Sequence, residues 1–372
     1  MLNSCKIFLL FLIVIIACDV VNAQSNVLRG KILDSDTGES LPGTHIFINK
    51  TTIGTISDKD GNYALPGIPN GEQTIVFSFI GFKEHAVKIE FPVDENQTFN
   101  VSLKPKDFEL GQIQVRASNK EWKRNLELFK KHFFGYTNNS SKMEILNPEV
   151  LDFENSGSEL IANGEAPLKI LNKALGYEIT YYLNESVSSN DSFNASFYVK
   201  FEEMKADSEQ EHQAWLRERK RSYEGSFVHF LNALDNNSYE EEGFEIFAAK
   251  KESLNNFEGH HDYSDKAFTK EIIKQEFSTF PKNSKWIELF VPKKYDYIKV
   301  VYINEEIGYL LKSKIRMSGN YDQISWIEIP NQTAVVNKFI GSYSEPGKYT
   351  LHGFWGWTHR IPELLPDNYN IR

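Results

Sequence analysis

Between Val27 and Val115 the chain alternates short apolar or β-branched runs with Gly, Asp, Asn and Pro. Such punctuation leaves no room for a helix of ordinary length and dictates strands joined by tight turns. The candidate strands are 27–33, 44–48, 55–57, 63–65, 74–80, 82–89, 98–103 and 113–115. Asp34, Asp36 and Gly38 close the first, and Leu41-Pro42-Gly43 turns into the second. The Asp60-Gly61 pair between two apolar runs is a hairpin signal, because glycine accepts positive φ. The nearly continuous apolar run 74–80 suits a central strand. A set of about seven strands is the size of a small two-sheet sandwich.

Cysteine use narrows how such a chain is held together. Cys5 and Cys18 are the two cysteines, and both precede the first strand. Around them lies a leader pattern: Lys6, an apolar stretch over 7–17, then Val21-Asn22-Ala23 before Gln24. A basic start, an apolar core and a small-residue end define a secretory signal, here cleaved between Ala23 and Gln24. The apolar stretch falls short of the roughly 20 residues a spanning helix needs. A second reading stays open: Ile15-Ile16-Ala17-Cys18 resembles a lipobox, which makes Cys18 a lipidation site and a membrane tether. Cleavage after Ala23 leaves no thiol for disulfides, so the exported chain must stand on its hydrophobic core. Roughly 350 remaining residues suggest two domains, with three as the alternative.

The 41 basic residues are outnumbered by 51 acidic ones, for a net charge of −10 that loss of Lys6 and Asp19 leaves unchanged. That balance disfavours nucleic acid as a partner.

Beyond Val115 the period changes. Ser118 and Glu121 form a capping box, and Trp122, Leu126, Phe129 and Phe133 then fall on one helical face. With Gly135 as a stop, the spacing predicts a helix over 119–134, packed between two domains or against the second. Short apolar runs with Pro148, Gly157, Pro167 and Gly176 suit strands over 147–183. Ser208 with Glu211 opens a second helix carrying Arg217, Arg219, Lys220 and Arg221, read as a solvated face. Phe227, Phe230, Leu231 and Leu234 repeat at helical spacing, and from Glu242 onward the pattern returns to β. Trp355 and Trp357, set around Gly356, offer an aromatic surface for a sugar or peptide, although core packing is the commoner fate of such a pair.

Gly30, Thr37-Gly38, Leu41-Pro42-Gly43, Gly54-Thr55, Asp58-Lys59-Asp60-Gly61-Asn62-Tyr63, Gly71 and Ile80-Gly81-Phe82 together resemble the carboxypeptidase-regulatory-like domain. The resemblance implies a transthyretin-like β-sandwich, known beside metallocarboxypeptidases and at the N-terminus of Bacteroidetes TonB-dependent receptors. It implies no peptidase activity, because the module is non-catalytic. The residues 219–234, Glu242-Gly243-Phe244 and Leu364-Leu365-Pro366 look like Bacteroidetes proteins that pair this module with an uncharacterised β-rich domain.

The fold class expected is therefore mainly β with some α. An Ig/transthyretin-like seven-stranded sandwich (24–116) follows the leader (1–23). A linking helix (117–135) then leads to a β-rich α+β domain (136–372). A zinc-peptidase site requires His and Glu three residues apart with a distant His, and none of the nine histidines meets that spacing. His260-His261-Asp262 is the densest cluster of metal-ligand types, and adjacent histidines on one loop rarely converge on one ion. Asp58 and Asp60 supply too few oxygens in register for a calcium loop. The length after the sandwich is short for a receptor plug and large barrel. The expectation is a non-catalytic envelope protein without cofactors, in the periplasm or at the outer membrane or cell surface of a Gram-negative bacterium. It would engage a protein or a carbohydrate partner; the alternative is a secreted hydrolase of peptides or glycans with its site in the C-terminal domain.

Overall fold

The structure is a computed structural model that describes residues 26–93, 98–106, 119–189, 193–251, 268–271, 286–306, 308, 322–337, 342–343 and 349–369. The chain divides into two compact units. The first comprises residues up to Ile46 together with Thr55–Lys106. The second takes Phe47–Gly54 and everything from Asp107 onward.

The N-terminal strands are β1 (Asn26–Asp34), β2 (His45–Ile48), β3 (Gly54–Ile56), β4 (Asn62–Ile68), β5 (Gly71–Ser78), β6 (His85–Phe91) and β7 (Val101–Leu103). They form two sheets, ordered β4-β1-β7 and β3-β2-β5-β6, with β1 and β7 parallel. Leu28, Ile32, Leu65, Ile75 and Phe77 are buried between them. Tyr63 meets Phe77 edge to face at 5.7 Å, and its hydroxyl donates to the Phe99 carbonyl at 2.7 Å. The hairpin expected at Asp60-Gly61 is corrected: β3 and β4 lie in different sheets, and the turn, with Gly61 at φ +79°, carries the chain from one sheet to the other. One Asp58 carboxylate oxygen accepts from the Asp60 and Asn62 amides, both at 2.9 Å, and these backbone donors hold its pKa below the usual carboxylate range. The expected strand 113–115 lies outside the described residues.

Past the sandwich strands, the next described element, in the second unit, is α1 (Asn119–Phe134). It buries Leu126, Phe129 and Phe133 against one antiparallel sheet, as its apolar spacing foretells. That sheet contains β8 (Met143–Ile145), β9 (Leu151–Ser156), β10 (Glu159–Gly164), β11 (Leu168–Asn172), β12 (Tyr177–Ser188) and β13 (Phe193–Glu203). The long β12 pairs with β11 and then β10 along one side, and with β13 along the other. The segment 49–51 runs along β13, where Lys50 N–H donates to the Val199 carbonyl at 2.7 Å and Phe201 N–H to that of Thr51 at 3.0 Å.

Next come α2 (Glu209–Tyr223) and α3 (Phe227–Asn236), capped by Ser208 and Ser226. Then follow β14 (Phe244–Lys251), β15 (Phe268–Glu271), β16 (Trp286–Phe290), β17 (Tyr297–Glu306), β18 (Asp322–Glu328), β19 (Thr333–Asn337), β20 (Ser342–Tyr343), β21 (Thr350–Gly353) and the short α4 (Phe354–Thr358). They make sheets ordered β15-β14-β17-β18-β21 and β16-β19-β20. Alternate residues of both sheets, among them Ile246, Leu289, Val300, Ile327 and Val336, share one core with Phe230 and Leu234 of α3. No helix among the described residues is long and apolar enough to cross a membrane.

The expected solvated face of α2 is corrected in part. Arg217 and Lys220 are exposed, but Trp215, Arg219 and Ser222 form a buried stripe. Arg219 stacks 4.1 Å above Tyr177 and donates to the Leu175 carbonyl at 2.7 Å. Trp215 donates its indole N–H to Lys173 O and covers the turn that ends at Gly176. Packing of the guanidinium on a ring and a carbonyl replaces the water it would otherwise keep.

That turn gives a testable consequence. Gly176 has φ +68°, and a Cβ there would lie 2.2 Å from the Trp215 ring, whereas Gly157, with φ +61°, faces open space. Gly157→Ala should cost about 1 kcal/mol through backbone strain alone. Gly176→Ala should cost about 2 kcal/mol more, because the ring must move. Urea denaturation of both variants checks this, and equal losses would show that Trp215 does not seal the turn.

Candidate functional site

Within the second unit the α1–β8 connection, the α2–α3 junction, the end of β17, the start of β18, α4 and residues 359–369 surround a cavity of about 480 Å³. Local sequence sets its rim. Ser226 caps α3 by accepting the His229 amide at 3.1 Å. The Gly225 amide donates to His229 Nδ1 at 3.0 Å, which places the ring proton on Nε2, 2.7 Å from a Glu242 oxygen. Burial holds the His229 pKa down against the pull of Glu242.

The polar wall centres on Arg221. Its Nε and Nη2 donate to one Glu218 oxygen at 2.8 and 2.5 Å, and Nη2 also reaches Glu363 Oε2 at 3.3 Å. The same Glu363 oxygen accepts the Ser222 hydroxyl at 2.5 Å and the Asn139 amide at 3.0 Å, while Glu363 Oε1 is buried without a partner among the described residues. Opposite in chemistry is Glu305. It accepts from Gln323 Nε2 at 3.2 Å, and burial raises its pKa against the opposing charge of Arg221. Gln323 is 4% exposed, and its carbonyl oxygen has no partner among the described residues.

Aromatic residues complete the lining. Of the two fates open to the Trp355–Trp357 pair, Trp355 takes core packing and not the aromatic surface: it is 2% exposed, packed 5.1 Å from Phe227 and 5.3 Å from Phe230. Its indole donates to Gly225 O at 2.7 Å, so it braces the cavity wall as a core residue. Trp357 is half-buried, edge to face with Tyr136 at 6.3 Å. His359 is exposed on the cavity wall, yet surrounding protein and then the charges of Lys50 and Arg360 hold its pKa down to about 4.

Cys18, Ala23, Gln24 and the His260-His261-Asp262 cluster lie outside the described residues. Among the described residues no three His, Cys, Asp or Glu side chains are grouped to hold a metal ion. Arg221, Glu305, Gln323 and Glu363 carry no mutual spacing in the sequence. One signal was available for the first: Arg221 follows Glu218 at i+3 on a helix.

Residues 28–115 match the CarboxypepD_reg-like domain family. The N-terminal sandwich is a carboxypeptidase-regulatory-like domain. The chain is 32% identical over 80 residues to TonB-dependent receptor P3, and 32% identical over 95 residues to TonB-dependent receptor P39, both of Formosa agariphila. Those matches cover 22% and 26% of this chain, and the chain spans 8% of the length of each receptor. A solved structure of a candidate carbohydrate binding protein from Bacteroides uniformis ATCC 8492 is 12% identical, with 48% of this chain and 79% of that one covered. Its TM-score of 0.18 carries no argument about ligand or fold.

The Arg221 cluster is a structural lock as well as a wall. Arg221→Met should destabilise the protein by about 2 kcal/mol, because two partly buried carboxylates lose their cation. Adding Glu363→Gln should recover part of that loss, a coupling read from a double-mutant cycle in guanidinium chloride. Strictly additive losses would mean the pair contributes nothing.

Proposed function

We propose that this chain is a non-catalytic binding protein of a Bacteroidetes cell envelope, exported through its leader to the periplasm or the outer surface. The regulatory-like domain serves as a scaffold, and the cavity of the second unit holds a ligand derived from a protein or glycan partner. The observation that carries the reading is the cavity itself, about 480 Å³, in the size range of small-molecule sites and lined by both aromatic rings and buried polar groups. The receptor relatives and the leader pattern support the location.

One feature favours a hydrolase as the second reading: Glu305 has a raised pKa beside a second carboxylate, the arrangement of a general acid and its partner. Binding is the better account. Glu363 is pinned by three donors on one oxygen, which leaves it a poor base or nucleophile.

Native mass spectrometry of the protein purified from its own envelope tests this. The wild type should retain a non-covalent small molecule, and Val228→Trp, which fills the cavity from α3, should lose it. The molecule should keep its mass after prolonged incubation; a cleaved product would favour the hydrolase. A wild-type protein that retains no small molecule would sink the reading.

A further inference from the structure

The ligand's chemistry follows from which wall carboxylates already have a counter-ion. Glu363 is held by Arg221, whose guanidinium is shared with Glu218. Glu224 lies 3.7 Å from Lys220, and Asp367 faces the charge of Lys50. Arg360, the second guanidinium of the lining, lies over the Phe193 ring at 5.3 Å.

Glu305 differs. It is half-buried and, among the described residues, has no cation within ion-pair distance and one hydrogen bond, from Gln323. The bare oxygens of Gln323 and Glu363 are closed off from solvent and so do not face the cavity. What this part of the wall leaves over is the charge and the lone pairs of Glu305.

An anion beside Glu305 would meet like charge and find the neighbouring Arg221 already paired with Glu218 and Glu363. A neutral polyol would satisfy lone pairs but leave a partly desolvated charge uncompensated. A primary ammonium answers both, being a compact cation with three donors and no acceptor. The rings of Tyr136, Tyr223 and Phe354 on the lining suit such a cation and its carbon body.

We infer that the cavity binds a small organic cation whose primary ammonium docks on Glu305, held in place by Gln323. This rests on the reading of the cavity as the ligand site and names the class of ligand it takes.

The test is isothermal titration of the full chain with two matched pairs: glucosamine against glucose, and 5-aminopentan-1-ol against pentane-1,5-diol. In at least one pair the amine should bind about tenfold or more tighter, the worth of one charge-assisted hydrogen bond. Glu305→Gln should abolish that preference without lowering Tm, since it uncharges a half-buried acid. Glu240→Gln, an exposed acid outside the lining, should leave the preference intact and so control for general charge attraction.

Equal affinity within both pairs, a preference that survives Glu305→Gln, or no binding by any of the four compounds overturns the inference. A neutral or anionic molecule recovered from the native protein would overturn it while the binding-site reading stands. A native protein that carries no ligand removes both.

Discussion

The second unit depends on how its C-terminal segment is tied down, and one carboxylate does most of that. A single Glu363 oxygen collects donors from Asn139, Ser222 and Arg221, which come from the turn after α1 and from the last turn of α2. Next to it, Asn172 donates its amide to the Pro362 carbonyl at 3.1 Å, and Ile361 enters the core beneath α1. A charged group so placed is tolerated because one oxygen collects three donors, a guanidinium among them.

The two apolar cores of the second unit explain why a cavity exists there at all. One core is built on the sheet of β8 to β13 with α1, and the other on the sheets of β14 to β21 with α3. The α2–α3 junction and residues 359–369 line the cavity with backbone and polar side chains. Trp355, locked by its bond to Gly225, stops the second core from collapsing into that space. Buried polar groups with fixed partners are what keep such a site open and specific.

Where local chemistry decides structure, the sequence was legible. The Asp58-to-Tyr63 turn, the strands around it, the apolar stripe of α1 and the Ser208 cap all follow from nearest neighbours along the chain, and the regulatory-like domain was recognisable from its turns. Arg219 was not, because its burial depends on Tyr177 and the Leu175 carbonyl, more than a helix length away in sequence. Trp355 lay between glycines, a setting that suits a binding platform as well as a core, and only its contact with Phe227 decides. The candidate site was invisible for the same reason: Glu305, Gln323 and Glu363 belong to β17, β18 and the C-terminal segment, and each reads alone as an ordinary surface residue.

The central claim is that the cavity, rather than the sandwich, receives the ligand. Amide hydrogen exchange of the purified protein, with and without soluble extract of its native envelope, tests it most directly. The account predicts slowed exchange at residues 222–226 and 358–364, with β1 to β7 unchanged. Slowing confined to the sandwich strands, with the cavity amides unaffected, would contradict it.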